Sequence, residues 1–590
     1  MSRPGKVRSP RAARSAHGSS APRPASFHLR LGLLFVLLTL AGVGLAGRAV
    51  QLQLVQHRFL AGQGDARFLR VADIAAHRGT ISDRQGEPLA VSTPVDSVWV
   101  NPQELAGNSE QLPRLARATK VDAHELVRRV TGGMDRVFMY VARGLQPNDA
   151  RKVRELGIPG VYLTREYRRY YPAGEVAGHL LGFTDVDDVG QEGAELAYDH
   201  TLGGEDGAKR VIQDSQGRKV EDVESIHAAR PGGDLRLSMD MRIQYLAYRE
   251  LKAAIRDNRA RAGSVVVIDV RSGEVLAMVN QPAYNPNDRS QINAAASRNR
   301  AATDLFEPGS SIKPFFVAAG MASGRFTADS VIDTSPGFVQ VGAKTITDEH
   351  NLGTVPLATV LAKSSNVGMA KLALALEPRQ IWSTLSGFGF GQITASNFPG
   401  ESAGLLSNYS HWRSLSIATM SHGYGLSVTP LQLAQAYATL GAFGIHRPVT
   451  LLRVDAPVAE ERVLDGAVCV ALLHLLESVV TPEGTAPQAQ IPGYRVAGKT
   501  GTAYKAEGGG YSRDRYVGTF GGVAPVSNPR LAAVVVIDEP SAGKHHGGEV
   551  AAPVFAAVLG GALRLMGVPP DNLRPTGNDA VLGGTHVAQR

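Results

Sequence analysis

The segment Phe306–Phe316, FEPGSSIKPFF, decides how the second half of this chain is interpreted. Pro308 and Gly309 end a loop, and the apolar residues that follow indicate the start of a helix. Ser310 therefore lies at a helix start, where unpaired backbone N–H groups and the helix dipole stabilise developing negative charge. Lys313 lies three residues on, on the same helical face. Because a serine hydroxyl is a weak nucleophile that needs an adjacent base, this spacing predicts that Lys313 acts as base on Ser310.

Three further side chains complete the predicted catalytic set. The motif KSSN at residues 363–366 places Ser364 and Asn366 on either side of one residue, so both can face one cleft. We expect Ser364 to relay protons and Asn366 to hold a substrate amide. Lys499, in a third motif, is expected to act mainly as a fixed charge. Two ammonium groups in one cleft repel each other, so Lys499 also helps to keep Lys313 neutral.

The third motif, GKTGT at residues 498–502, is the predicted substrate-binding segment. It follows a strand-like run. Thr500 and Thr502 offer hydroxyls to a carboxylate, and Gly501 allows a substrate backbone to approach closely. The backbone N–H groups of Ser310 and Thr502 are expected to form an oxyanion hole.

Each motif is weak by itself, and the chain contains matches that illustrate this. Residues 541–544 also have the S-x-x-K spacing, and residues 297–299 also have the S-x-N spacing. An isolated match usually marks a surface loop or a helix cap. Neither extra match lies in the right order along the chain. Three motifs in order, each in a fitting local context, favour the catalytic interpretation.

The composition is that of an ordinary folded protein. The chain has 590 residues, of which 43% are hydrophobic and 20% charged, so we expect two or three folded units. Its single cysteine, Cys469, lies in an apolar run and cannot form an intrachain disulfide or a cysteine-based zinc site. We expect a buried, inert thiol, and neither a metal nor a cofactor.

The net charge of +8 comes almost entirely from the start of the chain. The first 30 residues contain no acidic residue and carry these basic ones: Arg3, Lys6, Arg8, Arg11, Arg14, Arg23 and Arg30. The rest of the chain is nearly neutral. The charge therefore gives no support to nucleic-acid binding, and we expect no nucleic-acid partner.

An uncharged apolar run extends from Leu31 to Gly47. Its length of about 17 residues is at the short end for a membrane-spanning helix, and apolar residues beyond Arg48 can extend it. A cleaved signal peptide is the alternative, although its apolar part is normally shorter, about 7–15 residues. We expect an uncleaved anchor. The positive-inside rule places the basic tail in the cytoplasm and the rest of the chain outside it.

Secondary-structure signals sharpen after a turn cluster at residues 230–233. Before it, residues 55–230 indicate an extended α+β module with helices near 102–118 and 122–133. After it, periodicity and turn signals predict a helix at 241–258, a hairpin of strands at 264–269 and 274–279, strands at 494–497 and 531–537, and a helix at 551–566. This order indicates an α/β domain made of a sheet and a helical lobe.

The ordered S-x-x-K, S-x-N and K-T-G motifs resemble those of β-lactamases and penicillin-binding proteins. Further transpeptidase-like segments lie at residues 299–301, 306–314, 364–371, 423–430 and 547–555. Segments at residues 78–86, 169–172 and 190–195 resemble motifs of the class B pedestal domain. The resemblance implies that charged residues of these pedestal motifs form a buried ion-pair network at the domain junction.

The resemblance to class B penicillin-binding proteins also implies the fold. We expect an α/β penicilloyl serine transferase (β-lactamase-like) domain with a central antiparallel sheet and a helical lobe. An extended α+β pedestal domain and one N-terminal transmembrane helix are expected to precede it. The expected boundaries are a cytoplasmic basic tail at 1–26, the anchor at 27–50, the dimerisation-type pedestal at 51–232, the transpeptidase domain at 233–570 and a C-terminal tail at 571–590.

Related proteins of other kinds fit the sequence less well. A β-lactamase is about half this length and needs a device that activates a deacylating water, for which no glutamate motif is found. A class A penicillin-binding protein has a glycosyltransferase domain after the anchor, where this chain has pedestal motifs. A D,D-carboxypeptidase, which uses water as acceptor, generally lacks this pedestal. A non-enzymatic scaffold would have lost the nucleophile or the base, and both are present here.

Within class B, Ser364–Lys371 resembles the septal, penicillin-binding protein 3 type, because elongation enzymes often have Asp in place of Asn366. The resemblance implies a D,D-transpeptidase that cross-links peptidoglycan stem peptides at the division septum. It forms an acyl-enzyme at Ser310 with release of terminal D-Ala, and β-lactams acylate and inhibit it. An elongation-type enzyme and a catalytically weak division scaffold are the alternatives. Implied partners are membrane proteins of the division machinery, including a glycan polymerase, at the bacterial inner membrane.

Overall fold

The computed structural model describes residues 27–58, 69–213, 219–456 and 458–572. These described residues separate into two compact units, one made of those up to residue 73 with those in 208–227, and the other of those in 74–207 with those from 228 onward. The expected basic tail at 1–26 lies outside the described residues, as does most of the expected C-terminal tail.

Nineteen strands are formed by the described residues. In chain order they are β1 (Leu69–Ile74), β2 (Ile81–Ser82), β3 (Pro88–Val100), β4 (Met139–Leu145), β5 (Val161–Tyr170), β6 (Gly207–Gln213), β7 (Lys219–His227), β8 (Leu235–Arg236), β9 (Ala262–Asp269), β10 (Val275–Gln281), β11 (Val331–Asp333), β12 (Phe338–Val341), β13 (Lys344–Thr347), β14 (Thr354–Pro356), β15 (Ile445–His446), β16 (Glu461–Arg462), β17 (Ala497–Glu507), β18 (Gly510–Ala524) and β19 (Leu531–Asp538).

The α-helices of the described residues range from single turns to nearly seven turns. In chain order they are α1 (Phe27–Val50), α2 (Pro102–Leu105), α3 (Leu112–Thr119), α4 (Ala123–Gly132), α5 (Pro147–Glu155), α6 (Gly178–Leu181), α7 (Gly193–Ala197), α8 (Asp199–Leu202), α9 (Met241–Asp257), α10 (Ala294–Ser297), α11 (Arg300–Thr303), α12 (Lys313–Ala322), α13 (Leu357–Ala362), α14 (Asn366–Leu374), α15 (Pro378–Gly387), α16 (Ser414–Met420), α17 (Pro430–Gly441), α18 (Gly466–Glu477), α19 (Gly547–Val550) and α20 (Ala552–Leu565).

The smaller unit contains the apolar helix and a three-stranded sheet in the order β1-β6-β7. Helix α1 continues as a π-helical turn over Gln51–Val55. Within the described part of the chain, His28–Val55 is the one stretch whose length and apolar character suffice to cross a membrane, with a mean hydropathy of 2.2. The predicted apolar helix and its extension beyond Arg48 are therefore confirmed.

The pedestal is built around β3, which pairs with β4 on one side and β5 on the other. Helices α3, α4 and α5 contribute Leu115, Leu126 and Val153 to a core with Val98 of β3. The helix predicted near 102–118 is interrupted. Helix α2 passes into a 3₁₀ turn in which Asn108 has non-helical dihedral angles, and α3 then begins. The other predicted pedestal helix is confirmed as α4, capped by the Asp122 side chain.

A buried ion-pair network joins charged residues of the pedestal motifs, as the resemblance implied, and its partners all lie within residues 78–199. Arg78 Nε and Arg169 Nε lie 2.7 and 2.6 Å from the two carboxylate oxygens of Glu195, and all three side chains are almost fully buried. Arg78 also pairs with Asp199 at 2.7 Å. Removing one partner of such a network leaves an uncompensated buried charge, which typically costs about 3–5 kcal/mol.

The second half is organised by a five-stranded sheet in the order β10-β9-β19-β18-β17. All neighbouring pairs are antiparallel, which confirms the predicted central antiparallel sheet and the β9–β10 hairpin. Along β18, a Cβ on Gly521 would touch the Tyr437 ring of α17, and one on Gly518 would touch Val550 of α19. Because odd and even residues of a strand face opposite sides, helices cover both faces of the sheet.

The structure corrects two strand assignments. The strand predicted at 494–497 is wrong except for its last residue, since β17 begins at Ala497 and contains the K-T-G-T motif that was expected to follow a strand. Strand β18 was not predicted, because its glycines weaken the sequence signal for a strand. Those glycines are required by packing: a Cβ on Gly521 would lie 2.4 Å from the Tyr437 ring.

Candidate active site

Ser310 lies in a 3₁₀ turn, Gly309–Ile312, immediately before helix α12. Gly309 has φ +54°, and a Cβ there would lie 3.0 Å from the carbonyl oxygen of Thr502. The Tyr437 hydroxyl donates to the carbonyl of Ser311 at 2.9 Å. This turn, Gly309–Ile312, is called the serine turn below. It is fixed between β17 and α17, with Ser310 half-buried at the edge strand of the sheet.

Lys313 is fully buried and its amine contacts the S-x-N motif. Nζ lies 2.6 Å from the carbonyl oxygen of Ser364, 3.2 Å from its hydroxyl and 2.8 Å from Oδ1 of Asn366. The hydrogen bonds of the described residues do not include the expected one between Lys313 and Ser310. Ser364 has φ +57°, a left-handed conformation that is uncommon for a residue other than glycine.

Lys499 is also fully buried and contacts the same hydroxyl group. Its Nζ lies 3.1 Å from Ser364 Oγ, 3.1 Å from Thr500 Oγ1 and 3.3 Å from the Thr500 carbonyl oxygen. The structure therefore brings Lys313, Ser364, Asn366 and Lys499 into one hydrogen-bonded cluster beside the serine turn.

The protonation of both lysines is governed by burial. Burial lowers the pKa of Lys313 well below its ordinary value; repulsion from Lys499 lowers it further, and Asp348 opposes the shift. Burial lowers the pKa of Lys499 to about 7. An amine without a proton can accept one, so the lowered pKa moves Lys313 towards the protonation state that a general base needs.

The remaining predicted substrate residues lie on β17. The hydroxyls of Thr500 and Thr485 are 2.9 Å apart, and Thr502 Oγ1 accepts from the N–H of Gly547 at 3.1 Å. A Cβ on Gly501 would lie 2.6 Å from the carbonyl oxygen of Pro308. Glycine is therefore required at this position by the close approach of the serine turn.

Asp348 is a site residue that the sequence did not reveal. Its carboxylate accepts from the Ser365 hydroxyl at 2.5 Å and from the N–H groups of Asn366 and Val367 at 2.5 and 3.0 Å. It thereby holds the S-x-N motif at the start of α14. A single acidic residue between two short strands carries no spacing signal, so only the fold places it here.

His422 is a second buried group that was not predicted. Its exposed fraction is 9%, and its Nδ1 has no hydrogen-bond partner among the described residues. Burial, with smaller contributions from Lys313 and Lys344, lowers its pKa to about 3, so the ring is neutral. The predicted inert thiol is confirmed: Cys469 is fully buried, and burial raises its pKa to about 12.

A serine beside a buried lysine with a lowered pKa, at the edge of an antiparallel sheet, is the arrangement of a serine acyl-transfer enzyme. Two family comparisons agree with this class. The penicillin-binding protein transpeptidase domain matches residues 263–560, and the penicillin-binding protein dimerisation domain matches residues 73–237. The chain belongs to the class B penicillin-binding proteins.

Individual relatives match over most of the chain. Peptidoglycan D,D-transpeptidase FtsI of Escherichia coli strain K12 is 44% identical over 92% of this chain and 93% of its own length. The apo transpeptidase domain of Burkholderia pseudomallei penicillin-binding protein 3 is 42% identical with a TM-score of 0.53, covering 57% of this chain and 98% of that one. Penicillin-binding protein 3 of Mycobacterium tuberculosis in complex with aztreonam is 27% identical with a TM-score of 0.67, covering 85% and 98%.

Proposed function

We propose that this chain is a D,D-transpeptidase that cross-links peptidoglycan stem peptides at the division septum, and that β-lactams acylate it. The observation that carries the proposal is the buried amine of Lys313, with its lowered pKa and its contacts to Ser364 and Asn366, three residues beyond Ser310. The match to relatives named peptidoglycan D,D-transpeptidase FtsI supports both the substrate and the septal role.

In the proposed reaction, Ser310 Oγ attacks the carbonyl carbon of the terminal D-Ala-D-Ala bond of a stem peptide. Lys313 takes the hydroxyl proton, and the Ser364 hydroxyl, 3.2 Å away, passes it to the departing D-Ala amine. The backbone N–H groups of Ser310 and Thr502 stabilise the oxyanion. An acceptor amine then attacks the acyl-enzyme, the ester bond breaks and Ser310 regains its proton.

Substrate groups are assigned to the other residues. Asn366 holds the amide of the donor peptide. Lys499, with the hydroxyls of Thr500 and Thr502, binds the terminal carboxylate, which penicillins also carry. Gly501 keeps β17 close to the serine turn. No step requires a metal or another cofactor.

We also propose a location and partners. Helix α1 and its extension serve as a single-pass anchor in the inner membrane, with the N-terminus in the cytoplasm and the bulk in the periplasm at the septum. Membrane proteins of the division machinery, including a glycan polymerase, are the proposed partners. The proposed boundaries are those expected from the sequence: tail 1–26, anchor 27–50, pedestal 51–232, transpeptidase domain 233–570 and tail 571–590.

The test of the chemistry is mass spectrometry after incubation with a penicillin. One covalent adduct is expected, on Ser310, and Ser310→Ala should form none. Ser541→Ala is the matched control, because Ser541 begins the other S-x-x-K match and is exposed. An adduct on Ser311, Ser364 or Ser541 in the Ser310→Ala variant would contradict the assignment.

The anchor is tested by N-terminal sequencing and intact mass of the protein from membranes. An uncleaved start is expected. A mature N-terminus near residue 48, with the protein released in soluble form, would show a cleaved signal peptide instead.

A further inference from the structure

A cavity of about 630 Å³ is lined in part by residues that lie just before the serine turn in the sequence. One wall, Leu305–Glu307, ends three residues before Ser310, and another, Ala503–Ala506, begins directly after Thr502. A third wall includes Gly425, whose N–H donates to Glu307 at 2.7 Å. Since consecutive Cα atoms are 3.8 Å apart, Glu307 lies within about 11 Å of the reacting serine.

The cavity combines apolar and charged lining. Leu305 and Leu405 line it and are 50% and 57% exposed, which is high for leucine on a folded surface. Its cationic residues are Arg261, Arg298, Arg300 and Lys505. Cavities of about 300–1,000 Å³ with apolar walls and a few convergent polar groups are typical of small-ligand sites.

The charges on one side of the cavity leave a positive excess. Arg298 and Arg300 lie 3.0 and 3.3 Å from the two oxygens of Asp304, so two guanidinium groups share one carboxylate. An excess guanidinium charge at the rim of a cavity favours a ligand carboxylate.

Glu307 supplies a complementary negative group. Its Oε1 accepts from the N–H of Gly425 at 2.7 Å and from the hydroxyl of Tyr511 at 3.1 Å. Its Oε2 is buried and has no hydrogen-bond partner among the described residues. A buried carboxylate oxygen without a donor is unfavourable, and an ammonium group would supply both the donor and the opposite charge.

We propose that this cavity binds the acceptor substrate, a primary amine that also carries a carboxylate. The inference rests on the proposed function, in which the donor carboxylate is assigned to Lys499 and the second substrate supplies the attacking amine. Glu307 holds the acceptor ammonium group, and the Arg298–Arg300 pair holds its carboxylate. On release from Glu307 the ammonium gives one proton to water. The nitrogen then bonds to the acyl carbon, the ester bond to Ser310 breaks, and a second proton from the nitrogen returns to Ser310 Oγ.

The test measures how the acyl-enzyme divides between amine and water. The full chain in detergent is acylated with a peptide thioester donor, and the ratio of aminolysis to hydrolysis is measured with D-alanine and with D-alaninamide, which lacks the carboxylate. The ratio is taken within one acyl-enzyme, so changes in acylation rate cancel. The variants are Glu307→Gln and Ala506→Trp, whose indole would occupy the cavity. Glu507→Gln and Glu507→Trp make the same changes one residue outside it.

We expect the wild type to favour D-alanine over D-alaninamide. Glu307→Gln and Ala506→Trp should each lower the D-alanine ratio at least tenfold, and the two Glu507 variants should keep it. A wild-type ratio in Glu307→Gln and Ala506→Trp would overturn the proposal, as would a wild-type acyl-enzyme that transfers to neither amine. A wild-type chain that forms no penicillin adduct would instead contradict the proposed function itself.

Discussion

The amine nitrogen of Lys313 lies 3.2 Å from the hydroxyl oxygen of Ser364. Lys499 approaches that hydroxyl to 3.1 Å, so one side chain connects two buried lysines. Ser364 adopts φ +57°, which brings its carbonyl oxygen within 2.6 Å of Lys313 as well. Because Lys313 is fully buried, its proton has to move through this cluster or directly to a substrate.

Lys313→Ala should slow acylation by a β-lactam by about 10²–10⁴-fold, the usual contribution of a general base. Initial binding of the β-lactam should change little, because Lys313 contacts protein groups and the β-lactam carboxylate is assigned to Lys499. Stopped-flow acylation with a chromogenic β-lactam measures both. Lys544→Ala is the control, since Lys544 is the exposed lysine of the other S-x-x-K match. A wild-type acylation rate in Lys313→Ala would show that another group is the base.

Recognition of the substrate carboxylate should depend on pH through Lys499. The pKa of Lys499 is lowered to about 7, so the free enzyme loses this positive charge as pH rises through about 7. The preference for a β-lactam acid over its ester should therefore be larger at pH 6 than at pH 8. Lys499→Ala should reduce the preference and flatten its pH dependence. An acid-to-ester ratio that is independent of pH in the wild type would contradict this role.

Asp348→Ala should weaken both the fold and the reaction. It leaves the N–H groups of Asn366 and Val367 without their acceptor, a loss of about 1–3 kcal/mol for a buried group. Asp348 also raises the pKa of Lys313, so its removal should move the acid limb of the pH–acylation profile to lower pH.

Thermal unfolding and acylation rates across pH measure the two effects of Asp348→Ala, and Glu349→Ala, at the exposed neighbouring position, is the control. If the acid limb does not move, Asp348 only holds the S-x-N motif in place and does not affect the pKa of Lys313.

The three motifs were recognisable because each joins residues that are close in sequence, as Ser310 and Lys313 are. The β9–β10 hairpin and helices α9 and α20 were predicted for the same reason, since periodicity and turn residues are local signals. Lys313, Ser364 and Lys499 were expected to share one cleft, but the individual contacts between these distant segments could not be predicted. The contacts of Lys313 with Ser364 and the support from Asp348 depend on how α12, α14 and β13 meet. Strand β18 was missed because the packing that requires its glycines lies in α17 and α19.

Asp188→Asn should stabilise the protein at neutral and higher pH. Burial raises the pKa of Asp188 to about 6, even though Arg78 and Arg169 oppose the shift. Its Oδ1 has no hydrogen-bond partner among the described residues. Asp188 has φ +64°, a conformation that asparagine tolerates well, so the substitution removes the charge without backbone strain.

The pH dependence of this stabilisation follows from proton binding to Asp188. The ordinary pKa is 3.8 and the folded value is about 6, so the folded state binds more protons between these values and stability falls as pH rises through them. The cost is complete above the folded pKa. Asp188→Asn should therefore raise the free energy of unfolding by on the order of 1 kcal/mol at pH 8, allowing for the partial exposure of this group, and by little near pH 4.

Thermal unfolding of the full chain in detergent at pH 8 and pH 4 tests this. Asp187→Asn should show no gain, since Asp187 is exposed and pairs with Arg143 at 2.8 Å. A loss of stability in Asp188→Asn at pH 8 would show that the charged form of Asp188 supports the nearby Arg78–Glu195 network.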